Sequence, residues 1–86
     1  MSKFDKLLKQ LLSGNTDSNM AFTDIVKLLE VLGFSSRIKG SHHIFYKKDI
    51  DEIINIQPFG NKAKSYQVKQ VRNLIIKYKL ALDNDT

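Results

Sequence analysis

Phe34-Ser35-Ser36-Arg37-Ile38-Lys39-Gly40-Ser41-His42-His43-Ile44-Phe45-Tyr46-Lys47 is the stretch in which the chain changes period. Phe34, Ser36 and Ile38 alternate with Ser35, Arg37 and Lys39, the two-residue rhythm of a half-buried strand. Gly40-Ser41 is a tight reversal. Residues 42–47, rich in aromatic and aliphatic side chains, read as a second strand, and the charged residues 48–51 as the next turn. Ile53, Ile54 and Ile56 make 52–57 a third strand, which Pro58, lacking an amide donor, closes.

On either side of these strands the period is helical. Upstream, Ile25, Leu28, Leu29 and Leu32 form one stripe, with Thr23 as the expected cap and Asp24 in the first turn. Gly33 ends that helix, and Phe34 supplies the apolar contact that accompanies a glycine stop. Further upstream, Phe4, Leu7, Leu8, Leu11 and Leu12 predict a first helix over 3–12, followed by a polar, flexible link over 14–19. Downstream, after a polar loop through Gly60 and Asn61, Ser65 is the expected cap of a last helix with Val68, Val71, Ile75 and Tyr78 on one face. The economical way to bury these stripes is an α+β fold, a three-stranded antiparallel meander with helices on one face.

Eighty-six residues predict one domain, 1–86. There is no cysteine, which removes disulfides, thiolate nucleophiles and cysteine-ligated zinc from consideration. Lys3, Asp5, Lys6 and Lys9 interrupt the apolar residues before Leu12, so a soluble, unprocessed, cytoplasmic protein with no membrane association is expected. The net charge of +5 is unevenly spread. Residues 1–36 balance, whereas 37–79 hold ten Lys or Arg against Asp49, Asp51 and Glu52; Asp83 and Asp85 then remove two charges. Such a basic half suits a polyanion, because phosphate neutralisation releases counterions, and it equally suits a solvated lysine surface.

Histidine ordinarily titrates near neutral pH, and both histidines follow the Gly-Ser turn directly. Strand neighbours point to opposite faces, so His42 shares a side with Ile44 and Tyr46, and His43 with Phe45. One is expected to be functional and the other structural. A histidine that takes the proton from a ribose 2′-hydroxyl can cleave RNA without a metal, and the nearby Arg37, Lys39, Lys47 and Lys48 are candidate phosphate contacts. Against this stands a histidine that merely fills a strand position. Two adjacent strand histidines make a poor metal site, and no cofactor is expected. Asp49, Asp51 and Glu52 read as solvated turn residues.

The run Leu28-Leu29-Glu30-Val31-Leu32-Gly33-Phe34, followed by Arg37-Ile38-Lys39-Gly40-Ser41-His42-His43-Ile44-Phe45, resembles the HicA toxins, in which a helix ending in Gly plus an aromatic leads into a basic strand and Gly-Ser-His. The likeness continues through Ile54-Asn55-Ile56-Gln57-Pro58 and the last helix, covering about residues 23–80. It implies a fold like a double-stranded-RNA-binding domain, the activity of an mRNA interferase (a metal-independent endoribonuclease), and neutralisation by a HicB antitoxin that covers the catalytic face. By position it implies His42 as the catalytic histidine, presented by Gly40 and Ser41 and accompanied by His43. Arg37, Lys39, Lys47, Lys62 and Lys64 are candidate RNA contacts from charge and place. Two departures stand out: many HicA chains carry a second histidine after the proline, where this chain has Phe59-Gly60-Asn61-Lys62, and the helix within 1–14 is an addition to the minimal family chain.

Two other readings remain open at this point. A non-catalytic RNA-binding module would hold duplex RNA by shape and phosphate contacts. A protein-interaction module would offer the basic face to an acidic partner.

Overall fold

A computed structural model describes residues 3–80; residues 1–2 and 81–86, which the expected 1–86 domain includes, lie outside the described residues. The elements run α1 (Lys3–Ser13), a 3-10 turn (Asp17–Asn19), α2 (Phe22–Val31), β1 (Ser35–Lys39), β2 (His42–Lys47), β3 (Ile50–Ile56), β4 (Pro58–Phe59), β5 (Lys62–Ala63) and α3 (Ser65–Tyr78). Strands β1, β2 and β3 form an antiparallel sheet with β2 in the centre. Phe45 of β2 and Ile54 and Ile56 of β3 are buried in one cluster with Leu28 and Leu29 of α2, Val68 and Val71 of α3, and Leu7 and Leu11 of α1. The opposite face, carrying Arg37, Lys39, His42, Tyr46, Ile53 and Asn55, is exposed. The expected α+β fold, with helices on one face of a three-stranded meander, is the one observed, and it is consistent with a double-stranded-RNA-binding-domain-like arrangement. Each fully buried Phe or Ile contributes about 1.5–3 kcal/mol, so the helix-facing side holds the sheet and leaves the other side open.

The end of α2 follows from Gly33, whose φ of 97° is left-handed. Gly33 N–H donates to the Glu30 carbonyl and Phe34 N–H to the Leu29 carbonyl, both at 3.0 Å, the paired bonds of a Schellman stop. Between β1 and β2, Lys39 pairs with His42, and only the first of the two loop residues, Gly40, has positive φ, as a type II′ turn requires. His42 is therefore the first residue of β2 by turn geometry.

Several boundaries differ from the sequence-based expectation. Helix α2 starts at Phe22 rather than after a Thr23 cap, because the Asn61 carbonyl accepts from Phe22 N–H at 3.0 Å and replaces a side-chain cap. Helix α3 begins at Ser65 itself, with Lys64 at the cap position and no side-chain cap bond. Pro58 does not lead into a loop: Pro58 pairs with Ala63 and Phe59 with Lys62 in a hairpin, and that hairpin bonds onto residues 20–22 through Ala63 N–H to the Met20 carbonyl. Strand β3 begins at Ile50, two residues before the expected start, with a register irregularity opposite Tyr46. Strand β1 is exposed throughout, and Ile38 is 67 % exposed, because the helices do not reach this edge. Residues 14–19 are pinned rather than loose, through Asp17 to Arg72 and Asn19 to Lys62. No helix among the described residues is long and apolar enough to cross a membrane.

Glu52, on the helix side of β3, ties the sheet to the end of α3 by accepting from Lys77 at 2.7 Å and from the Tyr78 hydroxyl. The Lys77 bond first, and the Tyr78 bond second, hold its carboxyl down to about 2 from an ordinary 4.5. A carboxyl depressed by folding stabilises the fold above its unfolded pKa and loses that contribution as pH falls toward the folded value. Between pH about 4.5 and about 2, wild type should therefore lose stability more steeply than Glu52→Gln. Urea midpoints across that window measure this, and parallel curves for the two proteins would refute it.

Candidate active site

His42 stands exposed at the start of β2, on the face that no helix covers. Its register places it opposite Lys39, while Ile44, two residues on, lies between Arg37 on β1 and Asn55 on β3. The alternation of side chains puts Arg37, Lys39, His42, Ile44 and Asn55 on one surface. His43 points the other way. It is half-buried and meets Phe22 edge-on, with ring centroids 4.8 Å apart and planes at 72°. The two histidines divide as strand geometry demands, His42 outward and His43 into the packing.

Two side chains that sequence reading did not single out hold the His42 ring. Its Nδ1 lies 3.0 Å from Asn55 Oδ1, and its Nε2 lies 3.4 Å from Gln57 Nε2. One neutral tautomer satisfies both contacts: Nδ1–H donates to the Asn55 oxygen, and the Nε2 lone pair faces the Gln57 amide. Gln57 also donates to Ser41 Oγ at 3.0 Å, so the turn residue and the imidazole share one amide. The Gln57 backbone is held in turn from beneath the sheet. Gln67 of α3 is 3 % exposed and, in the orientation that satisfies both ends of its amide, donates to the Gln57 carbonyl at 3.1 Å and accepts from Gln57 N–H at 3.2 Å. A buried amide with both ends bonded locks a strand terminus far better than an apolar side chain there.

Of the expected cationic residues, Arg37 and Lys39 share the His42 face, and the Arg37 guanidinium lies 5.8 Å from the centre of the Tyr46 ring. Lys47 does not join them. It alternates onto the helix side, where its amine lies 2.7 Å from the position a Cβ on Gly33 would take, at the carbonyl end of α2. Lys62 is on β5 with its amine on Asn19, and Lys64 precedes α3. These two lysines border a separate cleft with Phe59 and Tyr66. Gly40 has no atom within 4 Å of a would-be Cβ, so its role is the turn and not close packing. Among the described residues, no three His, Asp or Glu side chains gather as a metal site would need.

Asn55 was hidden because its sequence signal, a polar residue between Ile54 and Ile56, gives a face but no register. Gln67 did carry a signal, since it occupies the helical row of Val71, Leu74 and Tyr78.

An outward imidazole at a Gly-Ser corner, with its tautomer set and two cations on the same sheet face, is suited to proton transfer on a phosphodiester substrate. Comparison with curated proteins and with solved structures gives no match. Residues 22–78 match the family model described as HicA toxin of bacterial toxin-antitoxin, a span that begins with α2, ends with α3 and leaves α1 outside. With the Gly-Ser-His corner, the open sheet face and both core helices inside that span, the chain belongs to the HicA toxin family, RNase-type toxins that are each paired with a cognate antitoxin.

Proposed function

We propose that this toxin is a metal-independent endoribonuclease that cuts messenger RNA in the cytoplasm, with His42 as general base, and that a HicB-like antitoxin silences it by covering the open sheet face. The observation that carries this reading is the exposed His42 ring held by Asn55 at Nδ1. Nε2 takes the proton of a ribose 2′-hydroxyl, the 2′-oxygen bonds to phosphorus, and the bond from phosphorus to the 5′-oxygen breaks. The leaving oxygen takes up a proton from water or from the imidazolium just formed. Arg37 and Lys39 lie where they can offset the charge that grows on the phosphoryl oxygens. His43 faces the opposite side of the strand and is not the partner acid. The described chain acts as one domain in this reading, since Leu7 and Leu11 of α1 share the core of the matched region.

The antitoxin contact follows from the same surface. Acidic side chains placed on Arg37 and Lys39, and on Lys62 and Lys64, would exclude RNA by occupation and by charge.

Purified protein with a long single-stranded RNA in chelator should yield fragments ending in 2′,3′-cyclic phosphate and 5′-hydroxyl. RNA that is bound in a salt-sensitive way but stays intact would replace this reading with a non-catalytic RNA-binding module, and scission that requires an added divalent ion would overturn the metal-independent step. In the same assay Asn55→Ala should lower kcat by about 10- to 100-fold with little change in KM, because it frees the ring without removing a phosphate contact. Asn55→Asp, which keeps the acceptor, should recover most of that loss. Equal losses in both variants would show that Asn55 does not act through Nδ1.

A further inference from the structure

Eight aromatic side chains of the phenylalanine and tyrosine type occur in the chain, and the fold uses six of them. Phe22, Phe34 and Phe45 are buried, Phe4 packs on the core, Tyr78 bonds to Glu52, and Tyr46 lies beside Arg37. Phe59 and Tyr66 are left, 72 % and 62 % exposed. They are not scattered. Both line one open cleft of about 520 Å³, together with Ser18, Lys62, Lys64 and Ser65. That volume is in the range of a single bound nucleotide and too small for a duplex.

Resting on the RNA-cleaving reading above, we propose that this cleft is a second RNA subsite, taking one unpaired nucleotide beside the cleavage position, with its base against Phe59 and Tyr66 and its phosphate at Lys64. Two largely exposed rings offer π-faces, and stacking is the contact every nucleobase can make. The charge of the lining points to the same occupant. Among the described residues that line the cleft none is acidic, and two are lysines. Lys62 is anchored through its amine to Asn19, which fixes one wall, whereas Lys64 stands at the uncapped start of α3, whose amides add to the positive potential. An acidic, aromatic-poor protein segment would satisfy the lysines but leave both rings in water; a nucleotide satisfies rings and lysines together.

The chain path links the cleft to the cleavage site. Gln57, whose amide touches His42 and Ser41, is followed by Pro58 and then Phe59. Two residues of extended backbone span roughly 7 Å, about the step between neighbouring nucleotides in a stretched strand. Phe59 is therefore about one nucleotide step along the chain from a residue that touches His42.

The test uses the full chain and a short single-stranded 2′-O-methyl oligonucleotide, which cannot be cut because it lacks the attacking hydroxyl. Phe59→Ala and Tyr66→Ala should each bind it roughly 5- to 150-fold more weakly than wild type, whereas Tyr66→Phe should bind nearly as well. Unchanged thermal unfolding of these surface variants separates binding from folding. An oligonucleotide series with one abasic position moved along it should contain a member for which wild type and Phe59→Ala bind alike, marking the stacked base. Unchanged affinity in both alanine variants would overturn the subsite while leaving the nuclease reading intact. Failure of wild type to bind the oligonucleotide at all would overturn both. Loss of antitoxin binding with full RNA binding would assign the cleft to the protein partner instead and overturn the proposal.

Discussion

Replacing His42 with alanine should lower RNA cleavage by about 10²- to 10⁴-fold and abolish growth inhibition, while the fold persists. The magnitude is that of removing a general base. On the proposed mechanism, what should survive in the variant is the contribution of Arg37 and Lys39, which would bind and polarise the phosphodiester without moving a proton. The fold persists because the His42 ring is exposed and its two partners, Asn55 and Gln57, are side-chain amides that water can satisfy once the ring is gone. Exposed substitutions of this kind change stability by about 0.5 kcal/mol or less. His43→Ala should show the opposite signature, with stability lost through the Phe22 contact and much of the cleavage per folded molecule retained. Initial cleavage rates beside urea midpoints for the two variants separate the roles. Cleavage in His42→Ala at the wild-type rate would remove the imidazole from the reaction.

The change of period at Phe34 was enough to predict strands after helices, because it depends only on side-chain alternation within a few residues. The opposite orientation of the two histidines was legible for the same reason. Which of them meets the helices was not, since both flanking patterns are apolar: Phe45 lies on one side, Ile44 and Tyr46 on the other, and only the docking of α2 and α3 decides. Register was equally hidden, and with it the Asn55 and Gln57 contacts that set the ring. Lys47 looked like a neighbour of His42 on charge alone, yet five positions along a strand reverse the face. Pro58 read as a terminator because it cannot donate to a ladder, but it still accepts a place at the edge of a two-residue strand, and the Gly60-Asn61 turn closes the hairpin behind it. The expected Thr23 cap failed because a distant backbone carbonyl, that of Asn61, does the work of a side chain at the start of α2.

The helix outside the family match is held by an ion pair that nothing in the local sequence announces. Arg72 of α3 donates to Asp17 at 2.8 Å and to the Leu11 carbonyl at 3.2 Å, so one guanidinium fastens the end of α1 and the 3-10 turn to α3. The Arg72 and Asp17 side chains are only 17 % and 11 % exposed, which makes this pair far less screened than the Lys77 to Glu52 pair at the surface. Removing one member strands a largely buried carboxylate. Breaking a fully buried pair costs roughly 3–5 kcal/mol, and the remaining water access brings the expected loss in Arg72→Ala to about 2–3 kcal/mol. Total stability for a chain of 86 residues is about 4–13 kcal/mol, so a large fraction is at stake, and the melting temperature should fall by roughly 10–20 °C. Arg72→Met combined with Asp17→Asn should lose less than Arg72→Ala alone, because no unpaired charge is left behind. At low temperature the folded Arg72→Ala protein should still cut RNA, since His42, Asn55 and Gln57 take no support from this pair, while protease should reach residues 14–16 faster as α1 loosens. A melting temperature within a few degrees of wild type would show that the carboxylate finds water without the arginine, and that α1 is held by Leu7 and Leu11 alone.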